Sequence, residues 1–163
     1  MPRAAFSGRY KLCGMPHNII SLVFEGEFRL RKGWTAEFIK YFILFGIGGI
    51  AYVVIELLWR GYSHWSMFAL GGLCFLLIGR LNEHFGTRLP LPALMLLCSA
   101  AVTLLEFAAG YLLNIRLGLH VWSYYGEPYN IMGQVCLKYT VMWFFMSGVC
   151  IAADNFLRRA LFA

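Results

Sequence analysis

The stretch LPLPALMLLCSAAVTLLEFAAGYLLNI, residues 89–115, carries a single charge, Glu106, in 27 residues. A transmembrane helix needs about 20 mostly apolar residues. Pro90 and Pro92 sit where a first helical turn tolerates missing N–H donors. Three other stretches share this character: residues 41–55 and 61–79 hold no charge, and 128–153 holds only Lys138. The four read as membrane spans over 38–59, 66–81, 91–113 and 131–156. Barrel strands are excluded, because they are short and alternate apolar with polar residues. A soluble bundle is excluded because its helices need a polar face. The fold expected is an all-α membrane protein with four transmembrane helices.

Composition agrees with that reading. Of 163 residues, 60% are hydrophobic and 13% charged, whereas a soluble domain is about 25% charged. A chain this small has no core large enough to hide so much apolar surface from water, and disorder requires the opposite composition. The net charge of +6 would also suit a nucleic-acid binder, but its distribution points elsewhere. Eleven of the fourteen basic residues fall before the first span (Arg3, Arg9, Lys11, Arg29, Arg31, Lys32, Lys40), between spans two and three (Arg80, Arg88) or at the C-terminus (Arg158, Arg159). Only Arg60 and Arg116 fall in the other two connections. By the positive-inside rule both termini are expected to be cytoplasmic, in a cell (plasma or inner) membrane. The partner this charge implies is the lipid bilayer, with no nucleic acid.

Two domains are expected: a cytoplasmic N-terminal arm, 1–34, and a four-helix transmembrane domain, 35–163. In the arm, Phe28-Arg29-Leu30-Arg31 alternates apolar with basic residues. It reads as a short strand, a segment lying on anionic lipid, or a loose tail. The first strongly apolar run begins near residue 38, too far in for the usual signal-peptide layout.

A pattern recurs along the chain. Glu56 is followed by Trp65-Ser66 and then Gly71-Gly72-Leu73-Cys74, with the Gly–Cys segment in span two. Glu106 is followed by Trp122-Ser123 and then Gly133-Gln134-Val135-Cys136, expected in span four. The common order predicts two helical hairpins related as a parallel repeat.

Glu56, Glu106 and Lys138 are ionisable residues inside the expected spans, where a charge needs a partner or water. At about 1.5 Å per residue, Glu56 is expected roughly 5 Å below the outer end of its span, and Glu106 and Lys138 roughly 10 Å. Glu106 and Lys138 can form a packing bridge or belong to a polar cavity. Glu56 can pair with Arg60, and Asp154 with Arg158, each one helical turn apart. Arg80, near the inner end of span two, can snorkel to the headgroups. The outer connections are aromatic. Trp65, Trp122, Tyr124 and Asn130 join the charged residues as candidate ligands for a substrate or ion, because turn formers among aromatics let the segment fold back over a cavity. Gly72 and Gly133 are expected to permit close helix approach.

No cofactor or metal is expected. Cys13, Cys74, Cys98, Cys136 and Cys150 form no C-x-x-C pair, and His17, His64, His84 and His120 lack metal-ligand spacing. No nucleophile–base pair suggests an enzyme.

The stretch Trp122-Ser-Tyr-Tyr-Gly-Glu-Pro-Tyr-Asn-Ile-Met-Gly-Gln-Val-Cys-Leu137 resembles the W-D-Y-S-x-x-P-x-N-x-x-G-x-[IV]-C-L signature of the ABC-transporter type IV family, the CmpB-like small membrane proteins. Glu106 and Glu56 match glutamates that the family carries in the corresponding spans. The resemblance covers about residues 38–156. It departs at Ser123, where the family usually has Asp, and at Tyr125, where it usually has Ser. It implies a multi-pass permease-type transport subunit. The chain has no G-x-x-x-x-G-K-[ST] phosphate loop, and four spans make a small pore. Transport would therefore call for a homo-oligomer or a partner membrane or ATPase subunit. Two functions are carried forward. The first is a transport subunit with an outward-facing intramembrane polar cavity. The second is a non-transporting assembly or envelope-sensing protein whose buried charges are structural.

Overall fold

In the computed structural model the backbone is described for residues 18–162 and side chains for 34–161. The chain divides into two compact units, Met1–Phe38 and Ile39–Ala163. The expectations for residues 1–17 lie outside the described residues. The backbone of 28–31, read as a short strand, an arm on lipid or a loose tail, is helical.

Among the described residues there are four α-helices: α1, Asn18–Arg60; α2, Trp65–Phe85; α3, Leu91–Gly110, continued by a π-helical turn, Tyr111–Arg116; and α4, Leu137–Phe162. A two-stranded antiparallel hairpin, β1 (Asn130–Ile131) and β2 (Val135–Cys136), precedes α4. The segments Trp34–Arg60, Trp65–Phe85, Leu91–Arg116 and Leu137–Leu161 are long and apolar enough to cross a bilayer. The shortest has 21 residues, about 31 Å of helix, which matches the hydrocarbon thickness. Many large apolar side chains point outward, among them Phe42, Leu58, Leu96, Leu104, Phe145 and Phe156. Lipid is the solvent that accepts such a surface.

The start of α3 follows the sequence reading, with Pro90 at the N-cap and proline in the first turn. The start of α4 does not. The fourth span was expected from Ile131, but the helix begins at Leu137. Tyr129, Met132 and Gly133 have φ of 53°, 52° and 67°, which a right-handed helix excludes. Asn130 fixes the alternative: its Oδ1 accepts the Gly133 N–H at 3.0 Å and its Nδ2 donates to the Glu127 carbonyl at 2.8 Å. Gly133–Cys136 therefore forms a turn and strand, whereas Gly71–Cys74 is part of α2. Gly133 serves the turn and not helix contact.

The core lies among α2, α3 and α4, around Met67, Leu70, Cys74, Ile78, Cys98, Val102 and Trp143. Ser99 Oγ donates to the Thr140 carbonyl at 2.7 Å, tying α3 to α4. Helix α1 joins through glycine. A Cβ on Gly71 would fall 2.7 Å from Cγ of Tyr52, so the bare backbone is what seats the Tyr52 ring. At the end remote from the hairpin, Asp154 is buried and accepts from Arg158 Nε at 2.7 Å, as the one-turn spacing predicts. Arg158 also pairs with Glu83. Arg80 extends outward and donates to the Tyr41 hydroxyl at 2.7 Å.

Candidate functional site

Glu106 on α3 is 3% exposed. Its Oε1 accepts from the Tyr124 hydroxyl at 3.1 Å and its Oε2 from Trp143 Nε1 at 3.0 Å. Both donors are neutral. The expected bridge to Lys138 does not form. Because α4 begins at Leu137, Lys138 is the second residue of the helix and not deep within it. It is exposed and pairs with Glu127 at 2.8 Å. Among the described residues, no basic side chain makes an ion pair with Glu106.

Two stacked ring pairs flank the carboxylate. Tyr124 stacks on Tyr139 with centroids 4.6 Å apart, and Tyr52 on Trp143 at 5.9 Å. Tyr139 and Trp143 share one face of α4, one turn apart. Burial and then the adjacent Glu106 push the Tyr124 hydroxyl above its ordinary range, so it stays protonated and acts as the donor.

A cavity of about 310 Å³ adjoins this constellation. Glu56, Arg60, Glu106 and the four stacked rings line it together with Trp59 and Phe75, and the remaining wall is mainly aliphatic and methionine side chains, with small residues and cysteines between them. Glu56 is buried but paired with Arg60, as its spacing predicts, and accepts from Ser63 Oγ at 2.5 Å. A second hollow of about 570 Å³ lies under the loop 117–136, bounded by Tyr62, His120, Trp122 and Glu127 among others. Arg60, Tyr124 and Tyr139 line both.

The loop 117–136 is fastened from below. Asn114, buried in the π-helical turn, accepts the Val121 N–H at 2.7 Å. It donates to the Trp122 carbonyl at 3.0 Å and to Gln134 Oε1 at 2.8 Å. Trp122 is buried and its Nε1 donates to the Gln134 carbonyl at 3.0 Å. The Tyr124 N–H donates to the Gly133 carbonyl at 2.7 Å. The Trp122–Leu137 stretch is thus a folded brace that presents the Tyr124 hydroxyl to Glu106.

Of the seven candidate residues, Glu56, Glu106 and Tyr124 meet at one cavity, and Trp122 lines the second hollow. Asn130 lines neither hollow and holds the hairpin. Lys138 and Trp65 also lie outside both; Trp65 is exposed beside His64 at the start of α2. Sequence reasoning missed Tyr52, Tyr139, Trp143, Asn114 and Gln134. The four-residue spacings Tyr52–Glu56 and Tyr139–Trp143 were the available signal. Among the described residues, no group of three or more His, Cys, Asp or Glu side chains could hold a metal.

Comparison with curated proteins and with solved structures returned no match. A family model, described as "Putative ABC-transporter type IV", matches residues 31–161. That span includes all four apolar segments from Trp34 onward, the brace and Glu106. The chain is a member of the ABC-transporter type IV family, a membrane protein whose apolar helices enclose a buried glutamate.

Proposed function

We propose that this chain is a permease-type membrane subunit of a transport assembly, with the cavity beside Glu106 as its cargo site. One observation carries the reading: a buried carboxylate with only neutral donors faces a cavity large enough for a small ligand. Intramembrane carboxylates of this kind mark ion and substrate pathways. Cargo entering the cavity exchanges water for the carboxylate and the ring faces. The arginine and lysine distribution supports an orientation with both termini cytoplasmic and the brace on the opposite face of the cell membrane. Energy and the rest of the pathway come from partner subunits, an ATPase among them, or from further copies of the chain. The common order Glu, Trp-Ser, Gly-x-[Leu/Val]-Cys is the trace of two related hairpins.

The test is flux in liposomes containing the full chain, with sodium, potassium, chloride and a quaternary ammonium ion as probes. Flux of at least one probe that falls with Glu106→Gln supports the reading. Flux of all four indistinguishable from empty liposomes, for the chain alone and for the assembly purified with its partner subunits, refutes it.

A second reading has its own support. Both Glu106 oxygens are satisfied by groups on α4 and the brace, so the carboxylate also fixes helix packing. An assembly or envelope-sensing protein would use it that way. A stable protein partner recovered on purification, together with absent flux, selects this reading.

A further inference from the structure

We infer that the Glu106 cavity binds a desolvated organic monocation, a substituted ammonium group in particular; this ligand class rests on the reading of the cavity as a ligand site. The argument begins with charge. Among the described residues, three ionisable side chains line the cavity in addition to tyrosines and cysteines: Glu56, Arg60 and Glu106. Glu56 and Arg60 neutralise each other as an ion pair. Glu106 is left with two neutral donors, so the wall carries one uncompensated negative charge when its carboxylate is ionised. An anion is disfavoured by that charge.

The wall then separates inorganic from organic cations. A hard metal ion takes about six or more oxygen ligands, or keeps several waters. Here each Glu106 oxygen is already engaged by a donor, and Glu56 is engaged by Arg60 and Ser63. The rest of the wall is mostly aromatic, aliphatic and methionine surface. Substituted ammonium ions need no oxygen shell. They are stabilised by ring faces at close range, and by more when desolvated. Tyr52, Tyr124, Tyr139 and Trp143, each with one face taken by its stacking partner, line the cavity with Trp59 and Phe75. Met67, Met142 and Met146 offer adaptable apolar contact. The volume of about 310 Å³ is at the lower end of small-molecule sites. The same head group occurs on free solutes and on choline lipids, and the cavity chemistry serves both.

The experiment measures binding, so it is independent of flux. The full chain in phosphatidylglycerol nanodiscs is titrated with phenyltrimethylammonium and with its neutral carbon isostere, tert-butylbenzene. Intrinsic tryptophan fluorescence, to which Trp59 and Trp143 of the cavity wall contribute, and calorimetry provide the readouts. The cation is expected to bind at least tenfold more tightly than the isostere, and Glu106→Gln is expected to abolish the difference. Glu106→Asp, retaining the charge, is expected to keep most of it. Equal affinity for the two probes, no cation binding, or an unchanged preference in Glu106→Gln overturns the inference. Flux of sodium or chloride that depends on Glu106, with no binding of phenyltrimethylammonium, would overturn the ligand class and leave the transport reading standing. Binding of the cation without flux of any probe would do the reverse. Repeating the titration at equal phosphatidylglycerol content, with phosphatidylcholine or an uncharged galactolipid as the remainder, separates the sources at constant surface charge. A weaker apparent affinity with phosphatidylcholine assigns the site to lipid head groups, and an unchanged one to a free solute.

Discussion

Trp143 Nε1 donates to Glu106 Oε2 at 3.0 Å, joining α4 to α3 inside the bundle. The same indole stacks on Tyr52 of α1. One side chain thus couples three helices to the buried carboxylate. Such a hydrogen bond contributes about 1.5–3 kcal/mol when the carboxylate is ionised and about 0.5–1.5 kcal/mol when it is protonated, against the few kcal/mol a chain of this size has to spare.

Trp143→Phe keeps a ring for Tyr52 and removes the donor. Stability in mixed micelles is expected to fall by about 1.5–3 kcal/mol at a pH where Glu106 is ionised, and by less where it is protonated. In Glu106→Gln the same change is expected to cost less. A double-mutant cycle on unfolding midpoints measures the coupling, expected to exceed about 0.5 kcal/mol. Additive effects would show that the indole does not hold the carboxylate.

Arg60→Met strands Glu56 in the wall of the cavity with only Ser63 as donor. Breaking a buried pair from one side costs about 3–5 kcal/mol. Arg60 is one quarter exposed, so a loss toward the lower end of that range is expected. Adding Glu56→Gln to Arg60→Met is expected to recover most of it, as read by denaturant titration.

Asn114→Ala removes three hydrogen bonds beneath the loop 117–136. Each buried group left unsatisfied costs about 1–3 kcal/mol. The loss is expected to be local to the loop. Amide exchange at Val121 and Tyr124 should accelerate, while exchange in the middle of α2 stays unchanged. Uniform acceleration across the chain would show that the loop is not a separate unit.

Lys138→Gln is expected to leave the unfolding midpoint unchanged, because its pair with Glu127 is exposed at the surface. Cation binding in the Glu106 cavity should also survive the change. A loss comparable to that of Glu106→Gln would place Lys138 at the site after all.

The sequence by itself determined the four apolar segments, the proline-led start of α3 and the one-turn pairs Glu56–Arg60 and Asp154–Arg158. These depend on composition and on spacing within one helix, both of which are local. It also singled out Glu106, because a charge amid apolar residues stands out on any hydropathy reading. What it misplaced was Lys138, through the apolar stretch before Leu137. Ile131, Val135 and Cys136 suit a helix and a buried strand equally well, and the decision lies in the left-handed backbone at Tyr129, Met132 and Gly133 and in the Asn130 side chain. The partners of Glu106 were decided by tertiary structure alone. Tyr124 and Trp143 are separated from it by 18 and 37 positions, and no periodicity relates them. Only the packing of α3 against α4, with the brace folded over both, brings two neutral donors and, among the described residues, no ion-pair partner to that carboxylate.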